Sequence, residues 1–387
     1  MARFEEFKGR ALHFLFFLLF IWFINFSVRI MFSPILPLLE DEFMVNHTRA
    51  SAIFTFMSAG YGTSVLLAGL FSGRIGYKKA IVICLGSLCF LNFLLPFVRN
   101  FSLLYLFALV LGFSHGLYVP SVMPLITEYY AEKNWGKAIA IHDTGASTAI
   151  FLTPLVALGL LQFFPWRGIF VVYGSIFAIC LVVFILTATE VKMVNPTRAV
   201  FRDIVAIRSL WFMIILWIFG AGSNIGIYAI TPLYLTKELG LSIDYANTIL
   251  SISRLASIGV AVVCGFLVDR FSLKRMMFFM LLITGVFTVL MGLSPVKYTG
   301  TLLFFQAFFV TGFFPVGLVG IARTFSREMR GLATGMILAA SFFTGGGVVP
   351  WLLGVSGDLY SFRLGIVILG VLTVLTSSLV FRLKGIK

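Results

Sequence analysis

Charge is scarce in this sequence. Only 11% of its 387 residues are Asp, Glu, Lys or Arg, and the acids number 15 against 29 bases. With 60% hydrophobic residues and a mean hydropathy of +1.05, a water-soluble chain could not cover its surface with polar groups. Lipid must be the solvent for most of it. Cysteine is equally scarce: Cys84, Cys89, Cys180 and Cys264 all fall inside apolar runs, which argues against a disulfide framework and leaves no metal site at ligand spacing. They are expected to be small apolar packing residues. No nucleophile–base pair, metal cluster or phosphate-cradling loop is present, so neither an enzyme nor a cofactor is expected. The net charge of +14 does not indicate nucleic acid, because the basic residues sit in short loops between apolar runs and form no stripe on a soluble face.

What the chain does have is length of apolar sequence. A span needs about 20 apolar residues with every backbone group satisfied inside it. Division at charged and turn-rich clusters predicts twelve helices, over 11–39, 51–71, 80–98, 101–127, 138–161, 168–188, 209–235, 246–268, 276–294, 301–322, 332–356 and 362–381. The run from Ala11 to Leu39 is too long for a signal-peptide core and reads as a first span that is kept. Lys and Arg sort by alternate loops: 21 on the side of both termini, at most one in each loop of the other side and six there in all. The positive-inside rule makes the richer side cytoplasmic, with both termini inside a plasma or cell inner membrane.

The longest polar stretch, Thr189–Arg208, contains Pro196 and reads as a cytoplasmic linker, partly an interfacial helix, between units 1–188 and 209–387. These halves are related. An offset of 195 residues pairs Trp22 with Trp217, Ile30 with Ile225, Pro37 with Pro232 and Leu38 with Leu233. One more residue then pairs Gly69 with Gly265, Arg74 with Arg270, Lys78 with Lys274 and Lys79 with Arg275. Such a repeat is the pattern of many transporters that rock about a site near the bilayer middle.

The paired loops read Gly69-Leu-Phe-Ser-Gly73-Arg74-Ile-Gly76-Tyr-Lys78-Lys79 and Gly265-Phe-Leu-Val-Asp269-Arg270-Phe-Ser-Leu-Lys274-Arg275. Both resemble the major facilitator signature G-x-x-x-D-R-x-G-R-R, and the resemblance covers almost the whole chain. It implies an all-α membrane protein, twelve transmembrane helices in two pseudo-symmetric six-helix bundles, acting as a secondary transporter. Gly73 stands where the signature has Asp, so the cytoplasmic gate is expected to be asymmetric, with only Asp269 of helix 8 facing the start of helix 5. The strings Gly112–Pro120 and Gly136–Gly145, followed by Pro165-Trp166-Arg167, look like the fosmidomycin-resistance-type and organic-anion branches.

Two basic residues remain after the loops are filled, Arg29 and Arg254, at about 12–15 Å below the outer boundary. A charge there costs about 2.5–3.5 kcal/mol on insertion scales, which makes both functional candidates. Arg29 shares a helical stripe with Asn25 and Ser33, and Arg254 shares one with Asn247 and Ser251; the repeat partner of Arg29 is Asn224, in line with Tyr228 and Thr231. Arg29, eight residues before Pro37, resembles the helix-1 Arg of organophosphate and anion:cation transporters, where it binds the anion. Each Arg also fits a snorkelling or structurally paired role. Substrate contact is therefore expected at Arg29, Asn25, Asn224, Tyr228 and Arg254.

Asp143 is the one convincing carboxylate at span depth, preceded by His142, and with His115 in helix 4 these are the candidates for carrying a proton. Asp143 equally fits a first-turn acid that complements the helix-5 dipole, and His115 a packing histidine. Cavity Arg in excess of cavity carboxylate favours a small organic or inorganic anion as substrate. A drug or metabolite efflux carrier, or a transporter-like sensor, is the alternative. Lipid and one small molecule are the only partners expected, for a monomer. The topology has a direct check: single cysteines placed between Thr189 and Arg208 should react with impermeant thiol reagents only from the cytoplasmic side, and labelling from outside would overturn the twelve-span reading.

Overall fold

The computed structural model describes residues 8–190, 201–255, 259–260, 263–264, 267 and 270–383, with only the backbone for 68–74, 201 and 327–328. Among them there is no β-strand. The helices are α1 (Arg10–Phe43), α2 (His47–Ile75), α3 (Tyr77–Phe97), α4 (Phe101–Tyr129), α5 (Trp135–Leu161), α6 (Trp166–Thr187), α7 (Arg208–Glu238), α8 (Ile243–Arg254), α9 (Leu273–Leu293), α10 (Thr299–Thr324), α11 (Met329–Leu359) and α12 (Phe362–Arg382). Among the described residues eleven are long and apolar enough to cross a membrane; α8, described as far as Arg254, is too short to qualify. A short helix, Phe201–Val205, lies in the expected linker.

Several boundaries differ from expectation. α1 begins at Arg10 and continues to Phe43, through Pro34 and Pro37, because a helix can run on past the apolar stretch once its polar end leaves the hydrocarbon. α2 starts at His47 and continues to Ile75, and α5 starts at Trp135, before the expected limits. The predicted end of helix 8 beyond Leu255 lies largely outside the described residues.

Contacts group the chain into two units. One comprises Met1–Phe32 with Ala59–Pro196, and the other Ser33–Ser58 with Thr197–Lys387. The sequence halves are followed except at Ser33–Ser58, the end of α1 and the beginning of α2, which packs with the second half. In the first unit Gly145 of α5 meets α1 so closely that a Cβ would lie 2.7 Å from the Leu19 carbonyl oxygen. In the second, α9 and α12 meet at Gly285 and Gly370, where each added Cβ would fall within 3 Å of the other's carbonyl oxygen. Small residues let backbones approach where lipid supplies no hydrophobic force between helices.

α1 and α7 are the most enclosed spans, with 61% and 67% of their apolar window buried against 39% in α3, α6 and α12. The outward faces of α6 and α12, with Ile179, Val182, Leu186, Ile368 and Leu375, are apolar, as lipid requires.

The loop after α2 is held by reciprocal capping. Gly76 has φ +94°, a conformation that favours glycine, and opens α3. The Lys78 ammonium donates to the Ile185 and Ala188 carbonyls at 3.0 and 2.5 Å, covering the end of α6, while the Lys78 backbone N–H donates to the Glu190 carboxylate at 3.2 Å. Gly285→Ala is expected to cost about 1–3 kcal/mol by overpacking, whereas Gly159→Ala, with nothing within 4 Å, should be neutral or stabilising. Thermal denaturation of the two purified variants in detergent checks this.

Candidate substrate site

Proline decides where α1 and α7 have polar backbone to offer. Pro232 has no N–H for the carbonyl of Tyr228, one turn earlier in α7. That carbonyl accepts instead from the Ser33 hydroxyl at 2.7 Å. Ser33 and Tyr228 are counterparts at the repeat offset of 195. Asn247 of α8 donates its amide to the Pro34 carbonyl at 3.1 Å.

A second source of free backbone is the wide π-turn Gly222–Gly226 in α7, which faces another at Thr344–Val348 in α11. The turns approach through glycine: a Cβ on Gly345 would lie 2.6 Å from the Gly222 nitrogen, and one on Gly226 would lie 2.9 Å from the Gly345 carbonyl oxygen. The Ser223 carbonyl accepts from the Gln306 amide at 2.6 Å, and the Ser223 hydroxyl pairs with Thr373 at 3.1 Å. π-turns recur at functional sites because they release hydrogen-bonding groups from the helix ladder.

Arg254 takes the next carbonyl. It is wholly buried, with one guanidinium nitrogen donating to Asn224 Oδ1 and another to the Asn224 carbonyl at 3.3 Å, and its charge lies 5.3 Å from the Tyr228 ring centre. Its Nε has no acceptor among the described residues. Three of the expected substrate residues, Arg254, Asn224 and Tyr228, are thus brought together. Arg254 has a neutral partner in Asn224, whose amide lies in the π-turn.

Arg29 belongs to the first unit. It is 9% exposed, and its guanidinium carbon lies 4.8 Å from the Phe26 ring centre and 4.1 Å from that of Tyr61 on α2, within cation–π range of both. Asn25 does not join it. It is buried and donates to Cys84 Sγ on α3 at 3.7 Å, so Cys84 is a hydrogen-bond acceptor as well as a packing residue. Asn25 is on the same stripe of α1 as Arg29, four residues earlier, but its side chain is taken by the packed α3.

The proton candidates separate. His115 on α4 is fully buried, neither ring nitrogen is hydrogen-bonded, and the charge of Arg29 bears on it. His142 on α5 is also fully buried; its Nε2 lies 3.3 Å from the Tyr118 hydroxyl, which donates to the Leu18 carbonyl at 2.9 Å. Trp22 lies nearly parallel to both rings, with centres 5.6 and 6.0 Å away. Asp143, one residue on, is exposed. Since α5 begins at Trp135, Asp143 falls in the third turn, which removes the first-turn dipole role.

Of the loop motif, Gly265 and Asp269 lie outside the described residues, and of Gly69, Gly73 and Arg74 only the helical backbone is described. Arg270 is exposed and Lys274 half-buried. Sequence reasoning missed Tyr61, Gln306 and the two π-turns. A Gln in the apolar α10 and the strings Gly220-Ala-Gly222-Ser-Asn-Ile-Gly226 and Thr344-Gly-Gly-Gly347 were the available signals.

Long apolar helices with buried cations on their inner faces define a polytopic membrane transporter. The chain belongs to the Major Facilitator Superfamily, whose family description matches residues 18–258 and 212–385. It is similar to the uncharacterized transporter YybO of Bacillus subtilis, at 26% identity over 40% of this chain and 35% of that one, and to the glycerol-3-phosphate transporter of the same organism, at 21% over 65% and 63%. The matched region thus spans about a third of the first relative and 63% of the second. Shorter matches are to a gallate transporter of Pseudomonas putida and a probable sulfoacetate transporter of Cupriavidus necator. Among solved structures, a bacterial homologue of the human lysosomal transporter Spinster superposes with a TM-score of 0.83 over 97% of both chains, a likeness of fold alone at 15% identity.

The Arg254–Asn224 pair has its own test. Asn224→Ala should destabilise the protein by about 1.5–3 kcal/mol, because a buried cation loses its acceptor, whereas Asn224→Asp should retain stability. Equal melting temperatures for the Ala variant and the parent would show that Asn224 does not hold the guanidinium.

Proposed function

We propose that this protein is a secondary transporter of small organic anions, working by alternating access between two six-helix bundles, 1–188 and 209–387, with both termini and the linker 189–208 cytoplasmic in the cell inner membrane. Arg254 carries this reading. A guanidinium with no exposure, a neutral amide as its partner and a spare Nε donor has unmet demand for an anion. A cation so enclosed meets a substrate only when its surroundings open, which is what alternating access provides. Arg29, held between two aromatic rings, is the ligand in the first half, and Tyr228 and Asn224 line the second. Three relatives, transporters of glycerol 3-phosphate and gallate and a probable transporter of sulfoacetate, support an anion.

Proton coupling is assigned to the neighbourhood of His142 and Asp143. His142 touches Tyr118, which is anchored on α1, so a change of proton there bears on three helices at once. His115 lies nearer the Arg29 charge and fits direct contact with the substrate better than proton transfer.

Uptake of labelled glycerol 3-phosphate, gallate and sulfoacetate into proteoliposomes, with and without a pH gradient, tests the proposal. For the anion that is carried, Arg29→Lys should weaken binding and Arg29→Gln should weaken it further, by about 2–5 kcal/mol if the ion pair is desolvated. His142→Gln should abolish stimulation by the gradient while exchange across equal pH persists. Full activity of Arg29→Gln on every anion, or improved movement of a cationic compound, would favour the efflux reading.

A further inference from the structure

The beginning of α2 lacks intrahelical partners for its first backbone N–H groups, as any helix does. One is covered locally, the Arg49 N–H by Asn46 Oδ1 at 3.0 Å. The others are covered from about 310 residues away. Asp358, near the end of α11, accepts from the His47 N–H at 3.0 Å with one carboxylate oxygen, and with the other from the Thr48 N–H at 2.8 Å and the Thr48 hydroxyl at 2.5 Å. An acid at that position opposes the dipole of its own helix, whose last turn is negative, and complements the positive start of α2. Its placement is explained by α2, not by α11.

The same end carries further ties of the same kind. Lys237 of α7 pairs with Asp41 of α1 and lies 3.9 Å from Glu40, and His47 Nδ1 lies 2.7 Å from the other Glu40 oxygen. Below them α2 and α11 meet along a seam of small residues. A Cβ on Gly354 would lie 2.0 Å from the Ser51 hydroxyl oxygen, one on Gly347 would lie 2.7 Å from Ser58 Cβ, and the Thr55 hydroxyl donates to the Gly347 carbonyl at 2.9 Å. Apart from the His47–Glu40 contact, which lies within the first repeat, each of these ties joins a residue of the first repeat to one of the second. The outermost of them are easily undone: Asp358 and Asp41 are exposed, so water can replace the partners they lose.

Glu238 offers a contrast at the same end. It accepts from the Phe362 and Arg363 N–H groups and so caps α12, but both partners belong to the second repeat. Nothing in a rearrangement of one repeat against the other requires that cap to break.

We propose that Asp358 is a removable N-cap of α2, and that its release is the step that frees this end of α1 and α2 from α7 and α11. The inference rests on alternating access and is independent of the substrate. The test uses full-length protein with its four native cysteines replaced and a reporter at Thr55→Cys, in lipid nanodiscs that leave both faces open to an impermeant maleimide. Asp358→Ala should raise the labelling rate at position 55 at least about fivefold. Asp358→Asn, which keeps one carbonyl acceptor but turns an NH2 group toward the other donor, should give a smaller rise than Asp358→Ala, and Glu238→Ala should leave the rate unchanged. Thr48→Val, which removes one donor and keeps the shape, should give an intermediate rise and serves if Asp358→Ala does not fold. Parental labelling in both Asp358→Ala and Thr48→Val, or an equal rise in Glu238→Ala, would overturn the latch. Because no substrate is added, loss of the latch and loss of the anion reading are separate outcomes: the first is read from labelling, the second from uptake by the unmodified protein.

Discussion

Hydrocarbon contains nothing that can accept or donate a hydrogen bond, so each polar group carried into the membrane must find its partner within the protein. The functional geometry of this chain follows from that constraint. Pro232 removes the donor that would have served the Tyr228 carbonyl, and Ser33 replaces it. The π-turn in α7 leaves the carbonyls of Ser223 and Asn224 to be taken by Gln306 and Arg254. In water these departures from a regular helix would be solvated at small cost. Here each ties one helix to another at a defined point, and those points are where the candidate site is built.

The two arginines meet the same constraint differently. Arg254 is held by a neutral amide and retains a donor that nothing described satisfies, whereas Arg29 lies between the faces of two aromatic rings. Arg254 thus keeps its positive charge beside a neutral amide at membrane depth. At the end of the helices where water is present, charge is used more freely. The carboxylates of Asp358 and Asp41 make contacts that can be exchanged for solvent.

Much of this was legible beforehand. The apolar runs located the helices to within a few residues, and the offset of 195 identified Trp217 and Pro232 as counterparts of Trp22 and Pro37. Asn224 and Tyr228 were picked out on one stripe of α7 and Arg254 on a separate stripe of α8, and the structure brings the three together. The partner of Asn25 was not legible, because stripe arguments say which face of a helix a residue occupies and not which neighbour packs there; α3 does, through Cys84. Tyr61 was missed because an aromatic residue in an apolar helix looks the same whether it faces lipid or a guanidinium. The role of Asp358 was invisible for a similar reason: it stands about 310 residues from the helix that it caps.

The sequence by itself determined what each residue's solvent must be. Hydropathy and the distribution of Lys and Arg are sums over local composition, and they decide which segments enter lipid, where the chain repeats and which two cations are left at depth. Tertiary structure alone decided the partners of those cations and of the freed backbone groups. A hydrogen bond depends on two groups arriving within about 3 Å of each other at a suitable angle. For residues separated by 30, 195 or 310 positions that coincidence is set by how the helices pack, and local composition carries no record of it.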